Sequence, residues 1–337
     1  MEYRPFGQTG LEVSAIGFGC WEMGGTYGAI DESDIIDAVN RGIDLGINCF
    51  DTAQGYGMGT SERLLARALG DRRKDVILVT KFGIGYEHGR DSSKEMVQKA
   101  VEQSLEMLNT DYIDVYLVHW PDRDTPFEET MGALEEIVQA GKVRHVGLSN
   151  FTPDEIQQCM DARRVDVLQY GYNMFDRRQG KWIFPYTREQ NIGMMIYGSL
   201  AYGLLAGAFN EDTVFEGRDW RKNGGGGFSL RLFAPEVFKR NIQAVNEIKE
   251  IAEGMGKKLP HLALNWVLSN PAVSTALVGA RTVAEVEDNM SALGWTIEED
   301  VKRAIDRVFA KYEISLTPDK WVENEKRWQG IDPTDWA

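Results

Sequence analysis

Short apolar segments alternate with amphipathic segments along most of the chain. Val76–Lys81 reads Val-Ile-Leu-Val-Thr-Lys, a nearly continuous apolar run typical of a strand buried on both faces. Lys94–Leu108 instead places its apolar residues at helical spacing. The predicted strands are Ile16–Gly19, Asn48–Asp51, Val76–Lys81, Ile113–His119, Val143–Ser149, Val167–Tyr170, Gly193–Tyr197 and Thr275–Val278. The predicted helices are Asp34–Leu45, Ser61–Leu69, Lys94–Leu108, Phe127–Ala140, Asp154–Ala162, Ile183–Gln190, Glu236–Glu253, His261–Ser269, Val283–Ser291 and Glu298–Lys311.

Strands that alternate with helices predict a parallel sheet with right-handed crossovers. Eight such units predict an α/β fold of the closed (β/α)8 TIM-barrel type. Tyr3–Phe6 and Leu11–Ser14 form a predicted N-terminal β-hairpin that plugs one end of the barrel. A long loop, Glu211–Phe233, follows the seventh strand, and extra C-terminal helices follow the eighth unit. We expect a single barrel domain over residues 1–337, with a tail at 315–337 packed on the barrel or at a subunit interface.

Composition and charge narrow the classes of function. The chain has 52 acidic and 37 basic side chains and a formal charge of −15, and 43% of its residues are hydrophobic. This composition is that of a globular protein, and its acidity argues against a nucleic-acid or anionic-membrane partner. No run of 18 apolar residues exists, and the N-terminus lacks the apolar core of a signal peptide, so we expect a cytoplasmic protein. Cys20, Cys49 and Cys159 lie too far apart for a disulfide framework or a metal motif, so no metal is expected.

Polar and aromatic side chains recur where the predicted strands end. In such a barrel the carboxyl ends of the strands carry the chemistry. The residues at or just after these ends are Trp21, Asp51, Tyr56, Lys81, His119, Trp120, Ser149, Asn150, Gln169, Tyr197 and Arg281. Packing alone does not account for so many polar groups at successive strand ends, and we expect a site there.

Four of these residues have the chemistry of a proton-transfer site. Asp51 and Lys81 emerge from neighbouring strands, and an unpaired charge there is costly, so they should form an ion pair. Tyr56 follows Asp51 by one short loop, and an adjacent ammonium would lower the pKa of its phenol. His119 could then donate a hydrogen bond to a substrate carbonyl oxygen. The spacing alone fits a structural salt bridge beside a capped tyrosine equally well.

Short motifs that run in a fixed order add a more specific signal. They are Phe50-Asp51-Thr52-Ala53 with Tyr56-Gly57, Thr80-Lys81, Leu117-Val118-His119-Trp120-Pro121, Gly147-Leu148-Ser149-Asn150-Phe151, Gln169-Tyr170, Gly203-Leu204-Leu205-Ala206-Gly207, and Gly279-Ala280-Arg281 followed by Asp288-Asn289. In these motifs the chain resembles the aldo-keto reductases, particularly their bacterial and potassium-channel β-subunit-like branches. The motifs span nearly the whole chain in family order.

The resemblance implies reversible hydride transfer between NADPH or NADP⁺ and a small aldehyde, ketone or alcohol. Tyr56 would be the general acid, Lys81 paired with Asp51 would tune it, and His119 would polarise the carbonyl. The substrate pocket would be lined by Trp21, Phe82 and Trp120 together with Tyr56 and His119. Ordinary aromatic packing explains the rings of Trp21, Phe82 and Trp120 equally well.

The resemblance also implies a set of cofactor-binding residues. The nicotinamide carboxamide would be bound by residues at the positions of Ser149, Asn150 and Gln169. Tyr197 matches the aromatic residue that stacks on the nicotinamide ring. The segment that usually wraps the pyrophosphate contains Ser199, Leu200 and Leu205. Gly279 and Arg281 precede the last barrel helix, whose N-terminus suits an anion, and Arg281 could grip a 2′-phosphate. Asn289 matches the adenine position, and Asp51 is also expected to contact the cofactor.

Two positions depart from the family pattern. Glu285 is either the back-reaching member of the capping box that begins at Thr282, or it faces the cofactor. In the second case its carboxylate would repel a 2′-phosphate, and NADH would compete better with NADPH. Gly198 stands where many relatives have serine, in a Gly-Ser-Leu stretch that lacks their proline.

Two other functions remain open at this point. One is a cofactor-bound regulatory or redox-sensing subunit, which would keep the same four residues. The other is an unrelated barrel hydrolase or isomerase, which would need a second strand-end acid beside Asp51. The oligomeric state is open as well. The basic residues of the loop, Arg218, Arg221, Lys222 and Arg231, suggest either a lid over the pyrophosphate or a solvated loop.

Overall fold

Eight parallel strands close into a barrel at the centre of the molecule. The computed structural model describes residues 1–25, 30–85, 89–217, 219–224 and 230–316. The barrel strands are Ile16–Gly19, Cys49–Asp51, Ile77–Phe82, Ile113–Val118, Val143–Ser149, Val167–Gly171, Gly193–Tyr197 and Thr275–Val278. Neighbours in sequence are neighbours in the sheet, and Ile16 pairs with Ala276 to close the ring. The (β/α)8 prediction is confirmed.

Helices surround the barrel where the periodicity predicts them. Their bounds are Glu32–Asp44, Thr60–Leu69, Lys94–Met107, Phe127–Gln139, Pro153–Ala162, Ile183–Gln190, Pro235–Gly254, Leu259–Leu268, Val283–Met290 and Glu299–Lys311. Every bound lies within two residues of its predicted position. Local chemistry sets the ends: Thr152 accepts from the Glu155 amide while the Glu155 carboxylate accepts from the Thr152 amide, a complete capping box.

The N-terminal hairpin closes one end of the barrel, as predicted. Its strands are Tyr3–Pro5 and Glu12–Ser14, paired antiparallel with Tyr3 opposite Ser14. Phe6 and Val13 are fully buried and pack on the side chains that fill the barrel interior. Because apolar side chains occupy this end, a ligand can enter only at the opposite end, where the barrel strands terminate.

The interior leaves little room between strands at Gly147. A Cβ atom on this residue would overlap the Val167 carbonyl of the next strand and the Leu117 side chain of the previous one. The glycine of the Gly-Leu-Ser-Asn motif is therefore a packing requirement of the barrel.

The loop after the seventh strand packs over the open end of the barrel. It includes the short turns Ala201–Ala206 and Trp220–Asn223, and Trp220 is 8% exposed. Arg218 and the glycines at 225–227 lie outside the described residues, as do positions 317–337 of the predicted tail with Trp321, Trp328 and Trp336.

Neither a membrane-spanning helix nor a metal-binding cluster occurs among the described residues. None of their helices is long and apolar enough to cross a membrane. Nor do they contain a group of three or more His, Cys, Asp or Glu side chains placed to hold a metal ion.

Candidate active site

A buried ion pair lies at the open end of the barrel. Lys81 Nζ donates to Asp51 Oδ2 at 2.7 Å, to the Thr52 carbonyl at 2.8 Å and to Tyr56 Oη at 3.1 Å. Gln169 Nε2 donates to the other oxygen of Asp51 at 2.7 Å. All three ammonium protons and both carboxylate oxygens therefore have partners. The sequence-based pairing of Asp51 with Lys81 agrees with this geometry.

The titration of Tyr56 differs from the sequence-based expectation. Burial, together with the charges of Asp51 and Glu22 and the nearby Cys20 thiol, raises the pKa of the Tyr56 phenol well above its usual value. The expectation of a lowered pKa is wrong, because burial and the charge of Asp51 both favour the neutral phenol. Tyr56 is consequently a protonated phenol at neutral pH.

The imidazole of His119 completes the group. Its ring meets the Tyr56 ring edge-on, with centroids 5.6 Å apart. Burial and the positive charges of Lys81 and Arg90 hold the pKa of His119 well below its usual value, so the ring is neutral. His119 Nδ1 is buried and has no hydrogen-bond partner within the part of the chain that the structure describes.

Asn150 joins the ends of several strands. Its Nδ2 donates to the His119 carbonyl at 3.0 Å and lies 2.9 Å from Ser149 Oγ, while its Oδ1 accepts from Tyr197 Oη at 2.6 Å. The residue has φ +68°, a left-handed conformation that asparagine tolerates better than most residues. These bonds fix the positions of three residues predicted to contact the cofactor.

A cavity of about 1100 Å³ extends from these residues to the last barrel helix. At its far end Glu285 Oε2 accepts from the Arg281 amide at 2.7 Å, and the two side chains approach to 3.9 Å. Thr282 Oγ1 accepts from the Glu285 amide, so the helix start is capped. Glu285 thus reaches back across the helix start and also lines the cavity, so the two alternatives for this residue are not exclusive.

Most of the predicted site residues meet in this cavity. Those that line it are Trp21, Asp51, Tyr56, His119, Trp120, Ser149, Asn150, Gln169, Tyr197, Ser199, Leu200, Gly279, Arg281, Glu285 and Asn289. Three do not line it. Lys81 is fully buried and contacts the site through Asp51 and Tyr56. Phe82 is 1% exposed and stacks on Tyr116 with centroids 4.9 Å apart, and Leu205 is fully buried in the core. The sequence-based assignments of Phe82 and Leu205 are corrected, because these two side chains lie in packing layers instead of the cavity.

The basic residues of the loop that the structure describes already have partners. Arg221 Nη2 pairs with Asp219 at 2.6 Å, and its guanidinium lies 4.7 Å from the centre of the Phe215 ring. Arg231 pairs with Glu236 at 2.7 Å. The contact between loop and site is aromatic: Trp220 lies 5.7 Å from Trp21, ring centre to ring centre.

Several charged side chains line the cavity without having been predicted from the sequence: Glu22, Arg90, Asp122, Arg123, Asp124 and Lys258. The Glu22 carboxyl rests where a Cβ atom on Gly279 would lie, and burial raises the pKa of Glu22 to about 7. Glu22, Arg90 and Lys258 lie in or beside loops, where neither periodicity nor a motif marks them. The only available signal was that Glu22 directly follows Trp21.

Comparison with known proteins agrees with this geometry. A sequence model of the Aldo/keto reductase family matches residues 15–310. The chain is 36% identical to aldo-keto reductase YhdN of Bacillus subtilis, covering 91% of this chain and 93% of the relative. It is 30% identical to the NADH-specific methylglyoxal reductase of Escherichia coli, covering 89% and 95%. The glycerol dehydrogenase AKR11B4 of Gluconobacter oxydans superposes with a TM-score of 0.83 at 31% identity, covering 95% and 98%.

Proposed function

The chain belongs to the aldo/keto reductase family, and from that premise we propose that it reversibly transfers a hydride between NADPH and a small aldehyde or ketone. The observation that carries the proposal is the contact of Lys81 Nζ with both Asp51 and Tyr56 Oη, beside the His119 ring. Family membership supports an oxidoreductase with a nicotinamide cofactor. The residue roles, the cofactor preference and a cytoplasmic location are our proposals.

The residues present fit a dinucleotide. The cavity is long enough to reach from Gln169 to Asn289, and Arg281 offers a half-exposed guanidinium beside a helix start. Ser149, Asn150 and Gln169 would hold the carboxamide, Tyr197 the nicotinamide ring, Ser199 and Leu200 the pyrophosphate, and Asn289 the adenine. When bound, the nicotinamide supplies the hydride that reduces the carbonyl carbon.

Tyr56 donates the proton in this scheme. Its raised pKa keeps the phenol protonated, which is the form that a carbonyl reduction requires. As the carbonyl oxygen gains negative charge, the phenolic proton moves to it. The phenolate left behind lies 3.1 Å from the Lys81 ammonium, and Asp51 in turn holds that ammonium in place. The ion pair therefore stabilises the charge that proton transfer creates.

His119 orients the carbonyl. A neutral imidazole donates one hydrogen bond to the substrate carbonyl oxygen. It adds no second positive charge beside the Lys81 ammonium. Its depressed pKa preserves that form across the physiological range. Asn150 holds the backbone of His119 through the carbonyl, and the His119 ring meets the Tyr56 ring edge-on.

The cofactor preference depends on the far end of the cavity. Arg281 favours the 2′-phosphate of NADPH, whereas Glu285, 3.9 Å from the same guanidinium, weakens its pull on that phosphate. We propose binding of NADPH with measurable competition by NADH. A relative at 30% identity carries the name NADH-specific methylglyoxal reductase, which supports testing both nucleotides.

Substitution of Tyr56 by phenylalanine tests the proposal. NADPH consumption is measured with aldehydes, ketones, sugars and quinones, and cofactor affinity with a fluorescence titration. Loss of a general acid lowers turnover by about 10²–10⁴-fold, while cofactor affinity should remain within a factor of two or so, roughly 0.4 kcal/mol. Tyr312→Phe is the matched control, because Tyr312 bonds Glu247 on the outer helices, away from the cavity.

The outcomes separate the candidate functions. Undiminished turnover in Tyr56→Phe would refute the assigned acid. If the unaltered protein binds NADPH tightly but reduces none of the compounds, the regulatory or redox-sensing subunit becomes the better conclusion. If it binds no nucleotide at all, both functions are excluded.

A further inference from the structure

Arg90 is a cavity residue that the proposed reaction does not use. It ends a two-stranded hairpin, Ile84–Gly85 with Gly89–Arg90, which follows the strand that carries Lys81. Its side chain is half-buried and lines the same cavity as Tyr56 and His119. A guanidinium in such a place carries a desolvation cost that a counterion normally offsets.

The surroundings of Arg90 provide little compensation. Among the described residues, no carboxylate lies within ion-pairing distance of Arg90; its one hydrogen bond runs from Nη1 to the Pro121 carbonyl at 3.3 Å. The neighbouring carboxylates are engaged elsewhere. Glu155 accepts from Arg123 Nε at 2.7 Å, and Asp122 accepts from the Ser92 amide at 2.9 Å. The charge of Arg90 is left facing the cavity.

The electrostatics around this guanidinium agree with the geometry. Burial, together with repulsion from Arg123, lowers the pKa of Arg90 to about 10, and the opposite effects of Glu155 and Asp122 do not restore it. The charge of Arg90 also helps to depress the pKa of His119. An anion bound at Arg90 would relieve both effects.

The guanidinium of Arg90 lies beside the residue that follows His119. It lies 4.9 Å from the centre of the Trp120 ring, and Trp120 directly follows His119. A guanidinium carries a planar fork of N–H donors that carboxylates and phosphates accept. Because Arg90, Tyr56 and His119 line one cavity, a single short molecule can present its anionic group to Arg90 and its carbonyl to Tyr56 and His119.

We propose that Arg90 is a substrate-specificity residue, which binds the carboxylate or phosphate of a short aldehyde or ketone while His119 and Tyr56 engage its carbonyl. This inference rests on the proposed function. It names a substrate class, short carbonyl compounds with a negative group a few bonds from the carbonyl carbon.

Steady-state kinetics on matched substrate pairs test the proposal. Glyceraldehyde 3-phosphate is compared with glyceraldehyde, and succinic semialdehyde with butanal, so the two pairs distinguish phosphate from carboxylate. In Arg90→Gln we expect KM for at least one anionic member to rise about 10- to 100-fold, equivalent to about 1.4–2.8 kcal/mol. KM for the neutral partners should change less than about threefold, under ~0.7 kcal/mol. Arg90→Lys should recover part of the loss.

Arg41→Gln is the matched control, since Arg41 pairs with Glu287 on the outer helices. Equal losses on charged and neutral substrates in Arg90→Gln, or no change on either, would overturn the proposal.

Calorimetric binding of succinate and of inorganic phosphate gives a readout independent of turnover, and affinity should fall in Arg90→Gln alone. Turnover with no preference for anions contradicts the inference but not the reductase. Arg90-dependent anion binding without turnover contradicts the reductase alone.

Discussion

Neutralising Asp51 would leave the Lys81 ammonium buried without a counterion. The Lys81 side chain is fully buried and that of Asp51 is 5% exposed, so water cannot replace the lost carboxylate. In Asp51→Asn a single amide oxygen must serve both Lys81 Nζ and Gln169 Nε2, which now contact different oxygens at 2.7 Å each. The NH2 group of the new amide then faces one of these two donors, and two donors cannot form a hydrogen bond with each other.

The magnitude follows from this geometry. Breaking a buried ion pair by removing one partner costs about 3–5 kcal/mol of unfolding free energy. In a chain of this size 1 kcal/mol corresponds to about 2 °C in Tm, at the lower end of the range for large domains. We therefore expect Asp51→Asn to lower Tm by about 6–10 °C.

Urea and thermal unfolding of Asp51→Asn, Lys81→Met and the double variant provide the measurement. Because the double variant removes both charges, it should be more stable than Asp51→Asn, and the coupling energy should be at least about 2 kcal/mol. Arg67 and Glu32, 2.5 Å apart with more than half of each side chain exposed, form the control pair. Neutralising either of them should cost about 1 kcal/mol or less.

A pH series adds a check of sign. Burial raises the pKa of Asp51, and Lys81→Met removes the ammonium that opposes this rise. A carboxyl with a raised folded-state pKa destabilises the fold as pH increases above its unfolded value, so Lys81→Met should be more stable at pH 5 than at pH 8. The ion-pair reasoning is wrong if Asp51→Asn has the same Tm as the parent protein. It is also wrong if the double variant loses as much unfolding free energy as the two single variants added together.

Three further predictions concern the cavity and the barrel. Glu285→Gln should tighten NADPH binding about fivefold, or ~1 kcal/mol, with NADH affinity unchanged in fluorescence titrations; an equal gain for both nucleotides would contradict a role at the 2′-phosphate. Because the pKa of Glu22 is raised to about 7 beside Gly279, its charge above that pH should oppose an anionic cofactor. NADH affinity should therefore decline from pH 6 to pH 8 in the parent protein and stay level in Glu22→Gln, and parallel slopes would rule this out. Gly147→Ala should lose about 1–3 kcal/mol in urea unfolding through overpacking against Val167, whereas Gly132→Ala, in open space on a helix, should gain about 0.5–1 kcal/mol.

The barrel could be predicted from the sequence because each strand and helix has its own periodic signal. Val76–Lys81 is apolar throughout, and the strand observed at Ile77–Phe82 is buried at every position. The strand ends then follow from chain topology, which places Asp51, Lys81 and His119 at one end of the barrel. Continuous burial is also why Phe82 was misplaced, because an apolar strand carries no sign of which face each side chain occupies.

The parts of the site that escaped prediction depend on distances across the fold. The Tyr56 pKa reflects burial beside Trp21, which comes from a different strand end, and burial is not a property of local spacing. Arg90 is significant because nearby carboxylates bond to other donors, which becomes visible only when all the partners are known. Sequence reasoning identified the chemical groups, but it could not determine their environments.

Asn150 makes the two halves of the cavity mechanically dependent on each other. Its side chain ties Tyr197, on the side assigned to the nucleotide, to the backbone of His119, on the side assigned to the carbonyl. A change at Tyr197 therefore propagates to His119 without direct contact between them, and removal of the Tyr197 hydroxyl should not be additive with substitution of Asn150. On the proposed assignments, substitution of Asn150 should change nucleotide affinity and carbonyl turnover together, because the same side chain bonds to Tyr197 and to His119.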